Sequence, residues 1–274
     1  MSWLGKLFGG TFGFLTGGPL GAILGAALGH QFDQGMEGIE EDHGKDGFQP
    51  GSQHRVQMAF FTATFSVMGH IAKADGKVSL EEIEMAKVVM TNMELSEDLR
   101  QTAQKLFNEG KSSSFPLDDA VEQLRVECHR RSTLIRMFIE IQLQVAYADG
   151  MLDSSEERLL LHICDRLNFS RLQYQGLKSI LEAQQRFGGG YEEFKNKRSV
   201  RSVQPSLEDA YGVLGLRASD TDAEVKRAYR RLISQHHPDK LVAKGLPEEM
   251  MKLATEKTQK IRKAYEMIQK SRAK

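Results

Sequence analysis

The sequence predicts an all-α protein in three parts: an N-terminal transmembrane helix, a middle domain made of a duplicated helix–turn–helix, and a C-terminal helical domain. Three observations carry that expectation. From residue 56 onward, apolar side chains recur at spacings of three and four, and no stretch alternates with period two. A turn of sequence ADG occurs twice at an offset of 74 residues, Ala74-Asp75-Gly76 and Ala148-Asp149-Gly150. Glycine stands at every fourth position from Gly5 to Gly29. The expected boundaries are a short tail over 1–6, the span over 7–29, a polar tether over 30–55, the middle domain over 56–185, a basic linker over 186–205 and the C-terminal domain over 206–274.

Leu7 to Gly29 is 23 residues without a charged side chain. As a helix it would be about 34 Å long, enough to cross a hydrocarbon core of ~30 Å. Its eight glycines argue against a stable helix in water, where each costs up to ~1 kcal/mol against alanine. In lipid the backbone amides have no water to turn to, so the helix is enforced. Gly9, Gly13, Gly17, Gly21 and Gly25 then form a groove that a second helix can approach closely, and self-association is expected there. The competing reading is a cleaved export signal, with Lys6 as its basic start and Gly25-Ala26-Ala27 near the cleavage point. Phe8, Phe12, Phe14 and the leucines make the segment too apolar for a disordered tail.

The chain carries 37 basic and 37 acidic side chains, but they are segregated: residues 206–274 hold 15 basic against 10 acidic. That domain is expected to meet an acidic surface. Cys128 and Cys164 are the only cysteines, each within a helical pattern, and read as buried free thiols in a reducing compartment. Without a CxxC pair, a cysteine-ligated zinc module is excluded. The histidines are scattered and no serine or cysteine has a base beside it, so neither an enzyme nor a cofactor is expected.

In the middle domain, Ala72–Glu82 aligns with Ala146–Glu156, and Phe60, Phe61, Phe65 and Ile71 of the preceding helix align with Leu134, Ile135, Ile139 and Val145. The glycine of each turn ends one helix in a left-handed conformation. Ser79 with Glu82, and Asp153 with Glu156, are expected to cap the next. A calcium loop is excluded, because Ile71 and Lys73, or Val145 and Tyr147, would stand where acidic ligands belong. Duplicated ADG turns between apolar helices resemble the tellurite-resistance TerB domain. That resemblance implies weak metal binding through Asp75 and Asp149. Turn-and-cap residues are the simpler reading.

In the C-terminal domain, three helices are expected, the second capped by Asp220 or Thr221 with Glu224 following. Val225, Ala228, Tyr229 and Leu232 form its apolar seam, while Lys226, Arg227, Arg230 and Arg231 cluster on the other faces. His237-Pro238-Asp239 follows, and proline is expected to stop the helix and hold the flanking pair on an exposed loop. His236 reads as a helix-end residue. DAYGVLGL, KRAYRRLISQHHPDKL and KIRKAYEMI together resemble the J-domain of DnaJ-type co-chaperones. The resemblance implies docking on the ATP-bound state of a DnaK-type chaperone and acceleration of its ATP hydrolysis. His237, Pro238 and Asp239 would be the indispensable contacts, and Lys226, Arg227, Arg230 and Arg231 would hold the acidic surface. Nucleic acid is not an expected partner, because this role already accounts for the basic residues.

The zinc-binding repeats, glycine/phenylalanine linker and β-rich client domains of general DnaJ proteins have no counterpart here, and the segment KLVAKGLPEEMMKLA is longer than in most J-domains. The whole chain thus resembles the bacterial family of membrane-anchored DnaJ-like A proteins. An ATP-dependent partner requires the domains after residue 29 to be cytoplasmic, so the N-terminus is expected in the periplasm and the span in the inner membrane. The resemblance also implies regulatory work in envelope or capsule signalling. The alternative is a metal or stress sensor whose output is the J-domain.

Overall fold

The computed structural model describes residues 18–23, 52–74, 76, 78, 80–93, 95–147, 151–187, 206–247 and 250–273. Eleven helices longer than one turn lie among these residues, with no strand. The middle domain comprises α1 (Ser52–Ile71), α2 (Leu80–Asn92), α3 (Glu97–Gly110), α4 (Leu117–Glu127), α5 (Ser132–Ala146), α6 (Ser154–Arg166) and α7 (Arg171–Phe187). The C-terminal domain comprises α8 (Leu207–Val213), α9 (Asp222–His236), α10 (Pro238–Ala243) and α11 (Met251–Arg272).

The duplication is visible as two equivalent helices at the centre. Phe60, Phe61, Phe65 and Ile71 of α1 are buried, as are Leu134, Ile135, Ile139 and Val145 of α5. Phe60 meets Phe138 edge-on with ring centroids 6.4 Å apart. The Gln142 amide of α5 donates to the Thr64 carbonyl of α1 at 3.0 Å, joining the two copies across the core. Gly76 has φ +91°, the left-handed conformation expected of the first turn. Asp153 and Glu156 form the expected capping box at the start of α6. Ser79, Asp149 and Gly150 lie outside the described residues.

Helices α1 and α3 approach each other closely. A Cβ at Gly69 would stand 1.9 Å from the Phe107 carbonyl oxygen, and one at Gly110 would stand 1.8 Å from that of Ser66. Glycine at both positions lets the two backbones touch. Cys128 and Cys164 are buried free thiols, and burial pushes both up to about 12.

Residues 19–23 form one helical turn whose Leu20 and Ile23 are buried against the middle domain, with the Leu20 N–H donating to Gln123 Oε1 at 2.7 Å. Among the described residues no helix is long and apolar enough to cross a membrane. Gly21 lies in this turn, whereas Gly9, Gly13, Gly17 and Gly25 lie outside the described residues.

Two cores run through the molecule. The larger fills the middle domain and also takes in Leu241, Leu246, Met250, Leu253 and Ala254 from the C-terminal domain. The smaller joins Tyr211, Leu214, Val225, Leu232, Ile261 and Ile268, and it includes Ala183 and Phe187 from the last turn of α7. Each domain therefore lends side chains to the core of the other.

Candidate functional site

The site begins with how α9 is built. Thr221 is its N-cap: the hydroxyl accepts from the Glu224 N–H at 3.3 Å, and the Glu224 carboxylate accepts from the Thr221 N–H at 2.8 Å. The Thr221 bonds hold the Glu224 carboxyl below the usual range. Val225, Ala228 and Leu232 are buried along one side, and Tyr229 stacks on Tyr265 with centroids 4.1 Å apart. That seam turns Lys226, Arg227, Arg230 and Arg231 outward, and all four are exposed. None of them makes an ion pair among the described residues.

The structure corrects the expectation of a loop after α9. His237 has φ −63° and ψ 122°, and it is both the last cap of α9 and the first cap of α10. Pro238 occupies the first position of α10, where its missing N–H leaves no backbone partner wanting and its fixed φ already suits the helix. The C-terminal domain therefore has four helices, and His237-Pro238-Asp239 is a sharp corner between two of them. Leu241 is buried beneath it, and its N–H donates to the His237 carbonyl at 3.1 Å. The Asp239 side chain is 83% exposed, with its Oδ2 4.0 Å from His237 Nδ1. Lys240 Nζ donates to Ser234 Oγ at 2.8 Å, bracing the corner from the other side.

Two contributors escaped the sequence reading. Arg272, near the chain end, donates through Nε to the Tyr211 hydroxyl (2.7 Å) and through Nη2 to the Asp220 carbonyl (2.6 Å), locking α11 to the turn that starts α9. A basic residue in the last turn of a helix is an ordinary sequence feature, so nothing singled it out. His236 is the last residue of α9 as expected, but it is buried, 5% exposed, and burial pushes its imidazole down to about 4. It is therefore neutral at physiological pH.

Asp75 and Asp149 lie outside the described residues. Among the described residues, no group of three or more His, Cys, Asp or Glu side chains could hold a metal ion.

Comparison with known proteins assigns all three parts. Residues 1–40 match the profile of the co-chaperone DjlA transmembrane domain, residues 61–179 that of tellurite resistance protein TerB, and residues 209–274 that of the DnaJ domain. The chain is 45% identical to the co-chaperone protein DjlA of Coxiella burnetii, over 100% of this chain and 99% of the relative. It is 44% identical to that of Photobacterium profundum over 98% of both, and 40% identical to that of Escherichia coli strain K12 over 99% of both. The chain belongs to the DjlA family. Its expected architecture of membrane anchor, TerB-like domain and J-domain is that of the family. No solved structure matches the chain. Within this family architecture, α8 to α11 are the J-domain and α1 to α7 the TerB-like domain.

Proposed function

We propose that this protein is a membrane-anchored co-chaperone that docks a DnaK-type ATPase through the outer face of α9 and the His237-Pro238-Asp239 corner, and speeds its ATP hydrolysis. One observation carries the reading: the J-domain packs on the TerB-like domain through α8, which lies on α7, and through α10 and α11, and this leaves the four cations of α9 and the Asp239 carboxylate in solvent. A docked orientation that buried this face would have opposed the reading. Lys226, Arg227, Arg230 and Arg231 give a cationic surface that accelerates encounter with an acidic partner and sets its register. The rigid corner supplies the contacts that discriminate. The N-terminus lies in the periplasm and the TerB-like and J-domains in the cytoplasm, where the ATPase is. The glycine ridge pairs two copies of the span. The TerB-like domain, bounded by residues 56 and 185, selects the membrane-proximal client, and envelope or capsule signalling is the process served.

Single-turnover ATP hydrolysis by a DnaK-type chaperone tests the reading, with the full chain in detergent micelles, wild type and His237→Gln. Stimulation that disappears in the variant supports it. Equal rates with and without wild-type protein sink it. Pairing of the span has its own test: Gly17→Leu with Gly21→Leu should lower the oligomer mass in detergent, and an unchanged mass rejects it.

A further inference from the structure

Besides α8, which packs on α7, the segment around Leu241 to Ala254 meets the TerB-like domain. Leu246, Met250 and Leu253 are buried in the shared core. Gly245 has φ +99°, and a Cβ there would stand 2.7 Å from Val56 Cγ1 at the start of α1. Lys244 Nζ donates to Thr133 Oγ1 at 3.0 Å, at the start of α5.

At the centre of this contact sits Glu140 of α5, 2% exposed. It forms an ion pair with Lys257 of α11, itself 8% exposed, and its Oε2 lies 3.9 Å from Nδ1 of His236. Oε2 has no hydrogen-bond partner among the described residues. Burial is the largest single influence and pushes the Glu140 carboxyl up, but the charge and hydrogen bond of Lys257 together with His236 and Arg136 outweigh it, so the carboxyl is held below the usual range. Glu140 thus touches two J-domain elements at once: α11, and the residue of α9 immediately before His237.

A buried ion pair is a poor source of net stability, because desolvating both charges offsets their attraction. Its effect is selective. Any other seating of the J-domain leaves Glu140 or Lys257 buried without its partner, which is far costlier than losing an apolar contact. Apolar residues such as Leu246 and Met250 hold the surfaces together, and the pair decides how they sit.

We infer that Glu140 is a positioning residue: through Lys257, and packed beside His236, it seats the J-domain on the TerB-like domain and fixes the direction in which His237-Pro238-Asp239 is presented to the ATPase. This rests on the function proposed above. It makes the TerB-like domain part of the docking machinery, since the corner is oriented by a residue outside the J-domain.

The test uses the full chain in detergent micelles as Glu140→Gln, Lys257→Met, and the apolar pair Glu140→Leu/Lys257→Met. Amide exchange over residues 241–254 reads seating without any chaperone. The protein concentration for half-maximal ATPase stimulation, separated from the maximal rate, reads presentation. Each single variant should speed exchange in that segment about 100-fold, the effect of stranding one buried charge. It should raise the half-maximal concentration several-fold while the maximal rate is kept, because an unseated corner must be ordered on binding. The apolar pair should restore slow exchange but leave the half-maximal concentration raised, because it holds the surfaces together without selecting one seating; a wild-type half-maximal concentration in the apolar pair overturns the positioning role. Wild-type exchange in the single variants overturns the seating. Faster exchange with an unchanged half-maximal concentration overturns the positioning role and leaves a structural contact. Absence of stimulation by the wild type overturns the co-chaperone reading and presentation with it, while exchange still decides the seating separately.

Discussion

At the offset that aligns the two copies in the TerB-like domain, Ser66 of α1 corresponds to Glu140 of α5, and Met68 to Gln142. All four are buried. In the first copy the neighbour is α3 of the same domain, and the contact is made by backbone: the Ser66 carbonyl faces Gly110 while its hydroxyl donates to Thr62 O at 2.8 Å. In the second copy the neighbour is the J-domain, and the contact is made by charge. A helix closed in by its own domain needs only shape, because chain connectivity already limits how the partner can approach. A helix that receives a separately connected domain gains from a charged pair that penalises wrong seatings.

The largest expected effect comes from breaking the close side of this comparison. Gly110→Ala places a methyl group against the Ser66 carbonyl, and the backbones must part. Urea unfolding should show a loss of about 3 kcal/mol, and a loss below about 1 kcal/mol would mean that the α1–α3 contact yields easily. Next comes the charged side, tested by pH. The folded-state imidazole of His236 is lowered from 6.5 to about 4, so below pH 6.5 the unfolded chain binds the extra proton. The stability it contributes is complete above pH 6.5 and is lost as pH falls toward 4, by about 2–3 kcal/mol. The difference in unfolding free energy between wild type and His236→Gln should therefore shrink over that window; a constant difference would place the imidazole in solvent.

A smaller effect is expected at the matched position of the first copy. Ser66→Ala removes one helix-internal hydrogen bond and should cost about 1 kcal/mol or less, with ATPase stimulation unchanged. A Ser66 variant that impaired stimulation as Glu140→Gln does would erase the contrast between the copies. Smallest is Gln142→Met, which installs the first copy's residue. It loses the bond to Thr64 but also removes a buried amide oxygen without a partner among the described residues. The two changes oppose each other, and unfolding should shift by less than about 1 kcal/mol.

Much of the site was legible because its determinants are local. The Thr221–Glu224 cap, the apolar seam of α9 and the outward cations follow from residues within two turns of one another. The corner at Pro238 was legible as a break but not as a helix start. Proline forbids the interior of a helix and favours its first position, and only the chain beyond it decides which applies.

By itself the sequence determined the all-helical class, the repeat, the J-domain signature and the capping of α6 and α9, since periodicity and caps act over a few residues. Tertiary structure alone decided that Gly69 and Gly110 face opposite backbones, that Arg272 closes the J-domain, and that His236 is neutral beside Glu140 and Lys257. These residues are far apart along the chain. Their chemistry depends on who is brought near and how much water is removed, and neither quantity exists until the domains are packed.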